Sequence, residues 1–251
     1  MRSPALDRVL AVLAVATSSV ALVLALVVAP PDAYQGDSQR LMYVHVPAAW
    51  TAYLSFAVVA GASLLYLVRR DLRFDRVAQA AAELGVGLTA LAIVLGSLWA
   101  HPTWGTWWTW DPRLVTTVIL LLVYVGYLGV RGLTTDAHVN ARRAAVVGVL
   151  AVVNVPLVHF SVVWWRTLHQ PPSVLRPGGP AGTIPPAMLS TLIVAIVAFT
   201  LLWAWVVVRR TRVLARPAGG AAAAESSATH GDAGPEEIVV EVAGDRKGSG
   251  A

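Results

Sequence analysis

Apolar positions in this chain gather into six long runs, at about 9–29, 46–68, 77–100, 112–130, 144–165 and 186–208, with most of the polar and charged positions between them. A helix needs roughly 20 apolar residues to cross a hydrocarbon core of about 30 Å, and each run supplies that length. The predicted fold class is therefore all-α, a polytopic membrane protein with six transmembrane helices. The first run is longer than the roughly 7–15 residues of a signal-peptide core, so it reads as a retained span. Two boundaries carry helix-start signals. Pro47 suits a first helical turn, and Asp111-Pro112 offers a capping carboxylate followed by proline at the first helical position.

Composition sharpens the picture. Hydrophobic residues make up 57% and charged residues 13% of the chain, against about 25% charged in an average soluble domain. The net charge of +5 does not point to nucleic acid, because the arginines sit in short clusters beside the apolar runs, where the positive-inside rule accounts for them. The N-terminus, the loops after the second and fourth runs and the start of the tail hold thirteen Lys and Arg, and the alternate loops hold only Arg40, Arg113, Arg166 and Arg176. That bias places both termini in the cytoplasm and the segment between helices 3 and 4, with His45 and His169, on the outer face. Residues 1–216 read as one membrane domain. Residues 217–251 are rich in Ala and Gly with scattered acids, and are expected to form a disordered acidic cytoplasmic tail. The absence of cysteine excludes disulfides, thiolate metal sites, iron–sulfur clusters and covalent attachment of a c-type haem.

Candidate chemistry concentrates in 99–114. Trp99, Trp104, Trp107, Trp108 and Trp110 fall within twelve residues, and Trp50, Trp164 and Trp165 lie at outer ends of runs. An ordinary aromatic belt populates both interfaces more evenly. On a helix Trp104, Trp107 and Trp108 would share a face and floor a planar aromatic ligand; the alternative is an interfacial re-entrant helix anchored by tryptophan. His45 and His169 border the same outer compartment, and two neutral imidazoles over a flat aromatic site are what a haem iron needs as axial ligands. Arg113 suits a propionate, or simply snorkels. Asp111 is a helix cap, or orients an indole or a loop backbone. His101, at the mouth of the segment, reads as a polar residue, with a ligand role as the alternative. His159 lies inside the fifth run, a functional position by default, with a hydrogen bond to a neighbouring helix as its expected role. His138 and His230 are on the cytoplasmic side. No side chain is an evident nucleophile or general acid, so the chain reads as an assembly factor rather than a conventional enzyme.

With these residues in place, Trp104-Gly-Thr-Trp-Trp-Thr-Trp-Asp111-Pro-Arg-Leu114 resembles the WWD signature of haem-handling proteins. The Arg-Leu after the acid makes it most similar to the cytochrome c maturation protein C family (CcmC, haem exporter protein C). Tyr43-Val-His45-Val-Pro-Ala-Ala resembles that family's first outer-loop histidine segment, and 155–170, ending Trp-Trp-Arg-Thr-Leu-His169-Gln, resembles the second. The likeness covers about residues 5–210, with Val115 standing where the family more often has Thr, and leaves the tail outside. It implies non-covalent haem b bound at the outer face of the bacterial cytoplasmic membrane, with His45 and His169 as axial ligands. It further implies that Trp104, Trp107, Trp108, Trp110 and Asp111 form the platform and chaperone-docking surface, with Arg113 beside them. The implied acceptor is the haem chaperone CcmE, which takes haem covalently through its own histidine during c-type cytochrome maturation. The small protein CcmD and the ATP-driven release complex CcmA/CcmB are the other implied partners.

Three alternatives fit less well. A cytochrome c synthase of the WWD type calls for more spans or more histidines within them. A membrane b-type redox subunit usually pairs histidines inside opposing helices. A solute transporter calls for a midplane site, often on broken helices, and these charge-poor runs offer little for one.

Overall fold

A computed structural model describes residues 4–170 and 184–216; the tail expected over 217–251 lies outside the described residues. All regular elements among the described residues are helical. They are α1 (Pro4–Val23), α2 (Met42–Arg69), α3 (Leu72–Trp104), α4 (Pro112–Val130), α5 (Ala137–Ala151), α6 (Asn154–Trp164) and α7 (Pro186–Leu214). Six of the resulting helical stretches are long and apolar enough to cross a membrane, α5 and α6 together making one of them. The chain is thus a multi-pass membrane protein with the helix count that its hydrophobic pattern predicts.

The junctions follow from local chemistry. Helix α1 ends in a π-turn over Leu24–Val28. Gly36, at φ +58°, closes a tight bridge with Asp32, and a 3₁₀ turn over Asp37–Leu41 leads directly into α2. Arg70 adopts the left-handed conformation between α2 and α3. Asp71, Asp111 and Asp136 cap α3, α4 and α5, each accepting a hydrogen bond from a backbone N–H two residues on, as short acidic side chains do at helix starts.

Three elements differ from the sequence expectation. Helix α2 begins at Met42 rather than at 46, because Met42 and Tyr43 are buried against Leu192 and Ala195 of α7. His45 therefore stands on a helix, and Pro47 lies in the second turn. Helix α3 continues past 100 to Trp104, where Gly105 at φ +75° ends it. The fifth span is broken at 152–153. Pro156 has no N–H for the carbonyl of Val152, and that carbonyl instead accepts from Val155 in a tightened turn.

Helix α2 is the centre of the bundle, packed against α3, α5 and α7, while α1 rests on α7 and α6 packs chiefly on α4. Small residues allow the close approach, as in membrane helix pairs generally. A Cβ at Gly85 would lie 2.6 Å from Phe56, and one at Gly148 would lie 2.8 Å from the Ser63 hydroxyl. The Phe56 ring stacks on Tyr124 with centroids 3.7 Å apart. Ion pairs join helices toward the start of α3: Arg131 with Asp75 at 2.6 Å and Arg210 with Glu83 at 2.5 Å. Among the described residues the other end of α3 is free of such pairing, and it carries the cavity described next.

Candidate functional site

A cavity of about 370 Å³ opens among α2, α3, α4, α6 and α7, within the range of small-molecule sites of about 300–1,000 Å³. His45, His159 and His169 all line it, together with Trp99, Trp104, Trp108 and Arg113.

The first turn of α2 presents His45. Its Nδ1 lies 2.9 Å from the carbonyl of Ala92 on α3. A carbonyl only accepts, so Nδ1 carries the proton and Nε2 keeps its lone pair. Gly96 makes this approach possible, since a Cβ there would sit 3.0 Å from His45 Cε1. Trp99 meets the same imidazole edge-on at 5.9 Å, and its indole N–H donates to Gln35 at 2.7 Å.

His169 follows the same logic on the loop after α6. Its Nδ1 donates to the carbonyl of Gln170 at 3.0 Å, which again leaves Nε2 as the free donor atom. Trp104 lies edge-on to it, centroids 6.4 Å apart. Burial and then the nearby Arg113 charge hold its pKa below the usual 6.5, so the ring stays neutral and able to bind a metal. Among the described residues no group of three or more His, Asp or Glu is placed to hold a bare metal ion.

Asp111 is both of the things that the sequence left open. At 6% exposure, its Oδ1 accepts from Arg113 N–H at 2.9 Å, capping α4, and also from the Thr167 hydroxyl at 2.7 Å. Its Oδ2 accepts from Leu168 N–H at 2.7 Å. The Thr167 hydroxyl in turn accepts from His169 N–H at 3.0 Å. One carboxylate thus binds the tryptophan segment to the loop that carries His169. It does not itself line the cavity.

The tryptophans do not share a helix face. Gly105 ends α3, and 105–111 run as an irregular segment. Trp104 and Trp108 line the cavity, whereas Trp107 and Trp110 point away at 54% and 85% exposure. Trp107 stacks on His101, centroids 4.1 Å apart, and Trp110 meets Trp108 edge-on at 6.1 Å. The reading of one flat floor and the re-entrant helix alternative both give way to an inner pair and an outer pair. Arg113 does not stand free: its Nη1 donates to the carbonyls of Val158 and His159 on α6 at 3.4 and 3.2 Å.

His159 departs from expectation. Among the described residues its ring makes no hydrogen bond to a neighbouring helix; it packs edge-on against Phe160 at 5.0 Å and lines the cavity. Sequence reasoning passed over Gln35 and Gly96. A loop glutamine and a glycine within a helix carry no local signal for such roles, because their partners are 64 and 51 positions away in the chain.

The fold and site define a class: a six-span membrane protein with a tryptophan- and histidine-lined cavity toward one end of its bundle. The family model for CcmC, "Heme exporter protein C", matches residues 2–220, and the chain belongs to that family. It is 43% identical over 175 residues to heme exporter protein C of Bradyrhizobium diazoefficiens, covering 70% of this chain and 66% of that protein. The Haemophilus influenzae protein of the same name is 37% identical over 211 residues, covering 83% and 84%. That of Escherichia coli K12 is 39% identical over 186 residues, covering 74% of each. The family places the chain in haem export for cytochrome c maturation.

Proposed function

We propose that this protein holds haem b non-covalently at the outer face of the bacterial cytoplasmic membrane and presents it to the chaperone CcmE, acting with CcmD and the CcmA/CcmB release complex. The observation that carries the reading is the convergence of His45 and His169 on one tryptophan-lined cavity, each with Nδ1 committed to a backbone carbonyl. Ligand imidazoles characteristically donate the second ring N–H in this way, which fixes the tautomer and the ring angle.

Each group has a part in this reading. His45 and His169 bind the two axial positions of the iron, and the haem is cargo rather than a resident catalyst. Trp104 and Trp108 face the macrocycle. Arg113 sits at the rim with part of its guanidinium held by α6, and its remaining donors suit a propionate. Trp107 and Trp110, exposed on the far side of the same segment, offer the chaperone an aromatic surface next to the cavity. Aromatic residues of this kind are enriched where proteins bind one another. Asp111 acts indirectly, by holding the docking segment and the His169 loop in one register.

Absorption spectra of detergent-purified protein co-expressed with the chaperone test the reading. Wild type should carry non-covalent six-coordinate haem, and the His45→Ala/His169→Ala variant should lose the six-coordinate bands. An unchanged spectrum in that variant would rule out these axial ligands.

A further inference from the structure

We infer that His159 is a third iron-binding position in the same cavity, one that receives haem from the bilayer before His45 and His169 take it. The inference rests on the haem reading above and adds a step to it.

Four observations converge on this residue. His159 lines the cavity with the other two histidines. Its ring has no hydrogen-bond partner among the described residues and only an edge contact with Phe160, although an ionisable side chain inside a span normally pairs with something. It stands inside its span: five residues before the end of α6 places it about 7.5 Å below that end at 1.5 Å per residue, whereas His169 lies on the loop beyond that end. Finally, α6 is a loosely held wall of the cavity. It packs chiefly on α4, is separated from α5 by the break at 152–153, and exposes Phe160, Val163 and Trp164.

Haem is a flat, largely apolar molecule that partitions into lipid, and a molecule entering beside α6 meets His159 on that helix before it reaches His45 on the central helix α2. The step is ligand exchange. An iron–nitrogen bond to His159 breaks as the bonds to His45 and His169 form, and the iron keeps its oxidation state. Arg113, which donates to the His159 carbonyl at 3.2 Å, ties this position to the side chain that suits a propionate.

The test uses full-length protein in lipid nanodiscs mixed with vesicles carrying ferric haem, followed by stopped-flow absorption. His159→Ala and His159→Gln should load at least tenfold more slowly than wild type yet reach the same six-coordinate spectrum, and free imidazole should accelerate His159→Gly. The His45→Ala/His169→Ala variant should retain a weak five-coordinate imidazole spectrum that disappears when His159→Ala is added. Loading of the single variants at the wild-type rate overturns the inference, as do identical spectra for the double and triple variants. Loss of the endpoint in both single variants without imidazole rescue marks a structural role and also overturns it. If wild type itself takes up no haem, the underlying haem reading fails, which is a distinguishable result.

Discussion

Asp111 shows how much a single side chain can connect. It accepts three hydrogen bonds, from the start of α4 and from two residues of the His169 loop, and hydrogen bonds to a charged group each contribute about 1.5–3 kcal/mol. Asparagine keeps one carbonyl oxygen but turns the other position into a donor facing a donor. Asp111→Asn should therefore destabilise the loop by about 1–3 kcal/mol and lower haem occupancy several-fold even though Asp111 does not touch the cavity; a haem titration of the purified variant checks this. His169 makes a second prediction. Its pKa lies below 6.5 through burial and the Arg113 charge, so the folded site prefers the neutral ring that iron requires. Haem retention should hold from pH 8 to 6.5 and fall only as pH drops through that lowered value. The unfolded chain takes up the proton first, so fold stability should also decline below pH 6.5. Arg113→Gln should move the acid edge of haem retention upward. The histidine pair and Asp111 were legible in the sequence because polar groups stand out between apolar runs. The three-way role of Asp111 was not, since its loop partners lie 56 and 57 positions along the chain.

At the scale of elements, hydrophobic run length reveals that a span exists but not where its helix bends or stops. The six spans followed from run length alone. The backward extension of α2 was hidden because it depends on Met42 and Tyr43 packing against α7, and the splitting of the tryptophans depends on one glycine at φ +75°. The break between α5 and α6 had a visible cause in Pro156, but proline is tolerated within many membrane helices, so its presence alone does not define an interruption. This break has a consequence for the site. It sets the direction of α6, which carries His159 and delivers the chain to His169. Pro156→Ala would supply the missing N–H to the Val152 carbonyl and favour one continuous helix from 137 to 164. The variant should be as stable as wild type or more so, yet bind haem at least several-fold more weakly. Thermal unfolding in detergent alongside a haem titration separates these effects; unchanged affinity would show that the break does not set the site.

At the largest scale, the helical bundle has two unlike ends. Asp75 and Trp99 lie on one helix, separated by roughly 36 Å at 1.5 Å per residue. Near Asp75 the helices are joined by Arg131 and, further along, by the Glu83–Arg210 pair, with Arg69, Arg70 and Arg73 close in sequence. Near Trp99 the polar groups around a cavity include histidines, indoles and Arg113. A membrane protein inserts with its arginine-rich loops retained in the cytoplasm, so this asymmetry decides which compartment the cavity serves. If the arginine clusters face the cytoplasm, the cavity lies toward the far side of the membrane. The cysteine-free chain makes the point measurable with single substitutions. Ser38 lies in the turn leading to α2 and Thr135 just before α5, at opposite ends of the bundle. A membrane-impermeant maleimide on intact cells should label Ser38→Cys and leave Thr135→Cys unlabelled until the membrane is opened. The reverse pattern would turn the cavity toward the cytoplasm, and an acceptor for its haem would have to be sought there.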